Sequence, residues 1–159
     1  MKPKTARKLL RSLLPDNVEP DERLVAKIAT DLVKPLGAPG SVRWQAARTV
    51  ISAGRGITDD QVDAETQRRR AKHAMAVEEA RRAAEKSADA AVAYVAQYRA
   101  AHGVGPTWYE LAREMGWSHQ TKGTSIRHLQ KLGHLTFTTA NRSLDLAQSP
   151  NSEVATAAI

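Results

Sequence analysis

The chain has 159 residues, no cysteine, and 24 lysines and arginines against 17 acidic residues, for a formal net charge of +7. The lack of cysteine excludes a disulfide framework, a thiolate zinc site and a cysteine nucleophile, and no apolar run reaches the roughly 20 residues of a membrane span. The basic balance favours a polyanionic partner, with nucleic acid ahead of an acidic membrane surface. Because the first residues also lack the apolar core of a signal peptide, we expect a cytoplasmic, nucleoid-associated protein.

Residues 1–56 predict a small helical module. A first basic amphipathic helix, residues 2–14, either packs its leucines on the rest of the module or serves as an arm for phosphate or, as a weaker alternative, for a membrane. A second helix is predicted between Pro20 and Pro35, and a third begins after a Gly/Pro turn with Ser41 as its N-cap. Helix, turn and helix also outline a second DNA-binding unit, but the long turn favours packing or dimerisation.

A very long helix is predicted from residue 58 to residue 101, where the sequence contains no breaker. Its first half is polar and includes the basic cluster Arg68, Arg69 and Arg70. With no apolar stripe beneath it, this cluster is either a solvated face or a phosphate contact.

The second half of this helix has apolar and small residues at alternating spacings of three and four. That alternation is typical of a coiled-coil seam that packs on a neighbour, either in the same chain or in a second copy. We therefore assign residues 57–87 to a helical connector or short coiled coil. The seam residues are Val77, Ala80, Ala84, Ser87, Ala91, Tyr94 and Tyr98.

Residues 88–146 predict a helix, a capped helix, a turn, a basic helix and two short strands. Thr107 and Glu110 have the spacing of a capping box, so a helix begins at Trp108, and Gly116 ends it. The basic helix runs from about Gln120 to Leu132. The residues expected to be buried are Ile126, Leu129 and Leu132 in the basic helix, and Leu135, Phe137, Leu144 and Leu146 in strands 135–138 and 142–146.

This order of elements predicts a winged helix-turn-helix, so the whole chain is expected to be mainly α with one two-stranded β-wing. The segment resembles the N-terminal DNA-binding domain of the LexA-type repressors. That family's self-cleaving domain is not implied, because here the winged domain comes last and only a tail, residues 147–159, follows, which we expect to be disordered. The matching residues are Gly103, Pro106-Thr107, Glu110-Leu111-Ala112, Met115-Gly116, Ile126, Leu129 and Gly133-His134-Leu135.

The distribution of charge indicates the same surface independently of the resemblance to the LexA-type repressors. Residues 116–143 contain no Asp or Glu, as a surface facing phosphates requires. The N-terminal part of a recognition helix enters the major groove, which gives as base-contact candidates Gln120, Thr121, Lys122, Thr124, Ser125 and Arg127. The phosphate-contact candidates are His119, His128, Lys131, Arg142, Arg68, Arg69 and Arg70.

These patterns predict a double-stranded DNA-binding protein, most simply a sequence-specific transcriptional regulator. A single winged domain buries only roughly 600 to 1,000 Å² on DNA, so we expect a homodimer that pairs through the N-terminal helices. The alternative is a structural or assembly protein, of the phage DNA-packaging or nucleoid type, with little sequence preference. We expect no metal, cofactor, small-molecule substrate or catalytic site, because the histidines have no ligand spacing and no nucleophile motif is present.

Overall fold

The computed structural model describes residues 1–54 and 57–147, so the predicted tail, apart from Ala147, lies outside the described residues. The described chain is mainly helical with one small antiparallel sheet, as predicted. Within it, no helix combines the length and the apolar character needed to cross a membrane. The elements are α1 (Pro3–Arg11), α2 (Glu22–Asp31), α3 (Val42–Ser52), α4 (Asp59–Lys86), α5 (Ala88–His102), α6 (Trp108–Glu114), α7 (Lys122–Lys131), β1 (Leu135–Thr136) and β2 (Asp145–Leu146).

The chain divides into two compact units, an N-terminal unit of residues Met1–Ala74 and a C-terminal unit from Met75 onward. This division differs from the boundaries expected at residues 57 and 88. The beginning of α4 belongs to the first unit and its end to the second, because each part packs its own apolar side chains. Val62 lies in the core of the N-terminal unit, whereas Ala84 lies in that of the C-terminal unit.

The N-terminal unit is built on α1, α2 and α3. Ala6 and Leu9 of α1 are fully buried with Ile28 of α2, so α1 packs its leucine face on the unit, which is the first of the two alternatives that the sequence left open. The predicted N-cap of α3 is confirmed, since the Ser41 hydroxyl accepts the Trp44 amide at 3.2 Å.

Asp59 joins the start of α4 to this unit. Its carboxylate accepts the amide of Val33 at 2.9 Å and of Lys34 at 3.1 Å, and it pairs with the Arg43 guanidinium at 2.6 Å. Burial opposes ionisation of Asp59, but the two amides and Arg43 outweigh it and hold its pKa below the usual 3.8. The first turn of α4 is thereby fixed beside the end of α2.

The long helix is interrupted at Ser87, contrary to the prediction of an unbroken run. The Ser87 hydroxyl donates to the Ala83 carbonyl at 2.8 Å and accepts the indole N–H of Trp117 at 3.1 Å. A serine that bonds back to the preceding turn competes with the regular helix, and α5 starts anew at Ala88. The interruption could not be inferred from the local sequence, because Trp117 reaches Ser87 from 30 residues away.

The predicted seam packs within the same chain. Ala84 and Ala91 of the seam are fully buried in one cluster with Val95, Leu111 and Leu129. Of the two neighbours left open by the sequence, the structure therefore places α6 and α7 of this chain against the buried seam residues. Small side chains suit this role because they allow helices to approach closely.

The capping box of α6 is confirmed in both directions, since the Thr107 hydroxyl accepts the Glu110 amide and the Glu110 carboxylate accepts the Thr107 amide. Gly116 follows the helix with a left-handed φ of 67°. The prediction that Leu132 is buried is wrong: α7 ends at Lys131, and Leu132 is 48% exposed after the last turn.

The sheet is shorter than predicted. Leu135 pairs with Leu146 and Thr136 with Asp145, while residues 137–144 form a connecting loop. Mutual bonds between Thr138 and Ser143 hold the loop together in place of a longer ladder. Leu135 and Leu144 are buried as expected, and Phe137 and Leu146 are partly buried against the same cluster.

Candidate functional site

Helix α7 presents three different faces. Ile126 and Leu129 are fully buried in the core. A second face meets α4, where the Ser125 hydroxyl donates to the Ala80 carbonyl at 3.2 Å and His128 Nε2 lies 2.6 Å from Glu85. The remaining face bears three residues at spacings of three and four, which places them in one row. We call this row the α7 strip; it consists of Thr124, Arg127 and Lys131.

The predicted exposure of Ser125 is wrong. Its side chain is 1% exposed because its hydroxyl satisfies a carbonyl of α4, so it is not available for a base contact. The His128 side chain is only 18% exposed and is occupied by Glu85, although it was predicted to face phosphate. Sequence periodicity could not reveal either fact, because α4 is an additional neighbour of α7 that the winged pattern does not contain.

The turn before α7 and the first residue of the helix hold the other base-contact candidates. Lys122 donates to the His119 carbonyl at 3.0 Å, and its ammonium also lies 3.2 Å from the His119 ring. Gln120 is exposed and Thr121 is half-buried. Gln120 and Thr121 line a cleft of about 360 Å³ with Glu79 of α4. Glu79 and Glu85 thus bring acidic groups beside a segment that has none in its own sequence.

Arg127 is held over an aromatic platform. Its guanidinium carbon lies 5.4 Å from the centroid of the Trp108 ring, and Trp108 packs edge-on against Phe137 at 4.9 Å. Such stacking orients a guanidinium while leaving its donors free. An open cleft of about 720 Å³ separates this platform from the tip of the hairpin loop at residues 138–141.

The exposed Tyr109 is a surface residue that the sequence patterns did not single out. It follows Trp108 on the first turn of α6, is 54% exposed, and contacts the His119 ring edge-on at 5.7 Å. Its exposed ring could have been suspected, because Tyr109 falls outside the apolar stripe formed by Leu111, Ala112 and Met115.

Arg142, a predicted phosphate contact, is held by groups of its own chain. Its guanidinium donates to Glu110 at 3.1 and 3.2 Å and to the Tyr98 hydroxyl at 2.7 Å. Arg142 also has a left-handed φ of 56°, which turns its side chain back from the loop toward α5 and α6. The residue fixes the hairpin to the helices, and only 38% of its side chain is exposed.

Glu110 is the centre of this anchor. The Thr107 amide, opposed by burial but helped by the Thr107 hydroxyl and the Arg142 guanidinium, lowers the pKa of Glu110 from 4.5 to about 2. A carboxyl group whose pKa is lower in the folded state than in the unfolded state stabilises the fold at any pH above its unfolded-state pKa. This contribution is lost as the pH falls through its folded-state pKa.

We expect the Glu110 contribution, on the order of 2 kcal/mol at neutral pH, to disappear between about pH 4.5 and pH 2. Urea unfolding of the wild type and of Glu110→Gln at pH 6 and at pH 2.5 measures it. The glutamine variant should be less stable at pH 6, and most of that difference should be lost at pH 2.5. A difference that stays the same at both pH values would contradict the role given to Glu110.

The basic cluster of α4 lies in the N-terminal unit and is largely paired. Glu65 binds Arg68 at 2.7 Å and Arg69 at 2.8 Å, and Arg69 also donates to the Thr49 hydroxyl at 2.6 Å. Arg70 is exposed. The i, i+3 and i, i+4 spacing of Glu65 to the two arginines was the signal that could have revealed this pairing.

Among residues 1–54 and 57–147, no group of three His, Asp or Glu side chains is arranged to hold a metal ion. Comparisons with protein-family models, with curated proteins and with solved structures find no match to this chain.

Proposed function

We propose that the protein binds double-stranded DNA through the α7 strip, with α5, α6, α7 and the 135–146 hairpin acting as a winged helix-turn-helix. The observation that supports this most is the composition of the two clefts beside the strip. One faces the hairpin and the other faces α4, and none of the described residues that line them is acidic. Glu78 and Glu85 lie beside the second cleft, where they pair with Arg81 and His128, but within the described residues neither pairs with Arg127 or Lys131 of the strip. Cations on a helix that are not neutralised by a carboxylate suit a phosphate-bearing partner.

The dimensions of α7 fit this role. A helix of 10 residues is about 15 Å long and, with its side chains, about 10–12 Å wide, which matches a major groove about 12 Å across. Arg127 and Thr124 would then contact base edges, since arginine pairs with two acceptors of guanine, while Lys131 at the helix end would meet a phosphate. The remaining candidates for contact with base edges are Gln120 and Thr121, in the turn before α7, and Lys122, the first residue of α7.

The N-terminal unit would supply the surface through which two copies of the chain form a dimer. Four of its apolar side chains remain exposed, namely Val18, Leu24, Val33 and Val42, with Val33 75% exposed. A symmetric dimer would place two recognition helices on two half-sites and thereby provide the specificity that a single small domain lacks. Transcriptional regulation is the function that this arrangement serves most directly.

The test is binding of the full chain to a random-sequence duplex and to a site selected from a random library, at several salt concentrations. A regulator should prefer its selected site by about a thousandfold or more. Equal binding to both duplexes, with only the salt dependence of phosphate contacts, would instead support the assembly alternative. Failure to bind either duplex would overturn the proposal, and a monomer in sedimentation, with and without DNA, would overturn the dimer.

A further inference from the structure

The last turns of α4 lie directly beside α7. The two helices are joined at Ser125 to Ala80 and at His128 to Glu85. Next to these contacts is a cleft of about 190 Å³, the α4–α7 cleft, which all three residues of the α7 strip line. It is lined by Val77, Arg81, Thr124, Arg127, His128 and Lys131.

Helix width determines what can fill this cleft when α7 is bound. A helix with its side chains is about 10–12 Å wide, and the major groove is about 12 Å wide, so it admits one helix. With α7 in the groove, the helix packed along its side has no room to enter. It must instead face the sugar–phosphate strand that forms the edge of the groove.

The side chains of the cleft are suited to that strand. Arg81 comes from α4, while Arg127 and Lys131 come from α7, and Thr124 adds a hydroxyl donor. Arg81 has a weak acidic partner in Glu78, at 3.7 Å, and both side chains are about half exposed. An exposed pair of this kind contributes little to stability, so Arg81 can exchange it for a phosphate.

We infer that the α4–α7 cleft binds a phosphate of the DNA backbone, with Arg81 on one side and Lys131 on the other. The inference rests on the proposed function and adds α4 to the DNA-binding surface. It places the phosphate contact of α4 at Arg81, which no sequence pattern selected, in addition to the α7 strip. Arg127 then lies between this contact and the aromatic platform.

Arg82 provides a matched control. It neighbours Arg81, has the same charge and the same partner Glu78, at 3.4 Å, and is 77% exposed, but it does not line the cleft. The experiment measures binding of the full-length wild type, Arg81→Ala, Arg82→Ala and Arg81→Lys to a random-sequence duplex over a series of salt concentrations.

Arg81→Ala is expected to weaken binding roughly three- to tenfold at low salt, alike for all sequences, and to reduce the slope of log K against log salt by about 0.9. Arg82→Ala should leave the slope unchanged, and Arg81→Lys should restore most of it. If the wild type binds DNA but Arg81→Ala and Arg82→Ala have equal effects, or neither has an effect, the inference is overturned. Failure of the wild type itself to bind would instead overturn the proposed function.

Discussion

Gly105→Ala is expected to destabilise the C-terminal unit by about 3 kcal/mol or more. A β-carbon at position 105 would overlap the Leu144 carbonyl oxygen and would lie 3.0 Å from that of Arg142. Both atoms belong to the backbone of the hairpin, so no side chain can rotate away to make room. The Gly105 amide also donates to the Arg142 carbonyl at 3.2 Å, and separating the two segments would break this bond.

Urea unfolding of the full chain, with Gly103→Ala as the control, measures this effect. Gly103 ends α5 with a left-handed φ of 72°, but a β-carbon added there would have no neighbouring atom within 4 Å. Its substitution should therefore cost only about 1 kcal/mol, which reflects the backbone conformation alone. Equal losses of stability in the two variants would contradict the close packing of residue 105 against the hairpin.

Arg127→Ala is expected to weaken binding to a selected DNA site by about 1–3 kcal/mol, or roughly five- to 150-fold, and to relax the preference at one base pair. The variant removes the bidentate donor and leaves Trp108 without the guanidinium that covers it. Arg127→Lys keeps the charge but loses the planar fork. It should therefore retain binding to random-sequence duplex and lose most of the preference for the selected site.

Arg113 is the matched control for this experiment. It is an exposed arginine in the last turn of α6 and lines neither cleft beside the strip. Fluorescence anisotropy with labelled duplexes should give Arg113→Ala a nearly unchanged affinity. If Arg113→Ala and Arg127→Ala lose affinity equally, the effect is one of net charge, and the α7 strip does not contact bases.

Local signals predicted the elements well. The capping box at Thr107, the N-cap at Ser41 and the helix end at Gly116 depend on residues within four positions of one another, and all three are present in the structure. The alternation of apolar residues likewise identified Leu135 and Leu144 as buried side chains of the hairpin. These features follow from short-range geometry, which the sequence displays directly.

Long-range contacts explain the residues whose surroundings the sequence did not predict. Ser125 is buried and His128 is paired because α4 packs beside α7, and the residues in contact are 45 and 43 positions apart. Arg142 is drawn to Glu110, 32 positions away, rather than to the surface. The spacing of apolar residues along the chain does not indicate which distant residues will be in contact. The sequence therefore assigned the buried and exposed faces of the helices, and the candidate DNA contacts, only in part.

The proposed function depends above all on contact between duplex DNA and the α7 strip with its two clefts. Backbone amide NMR spectra of the full chain, titrated with a duplex of random sequence and then with a selected site, test this contact most directly. The largest shifts are predicted at residues 120–131, at the hairpin loop 137–143 and around Arg81, with small shifts across α2 and α3. Shifts concentrated in α1, α2 and α3, with α7 unchanged while DNA is bound, would contradict it.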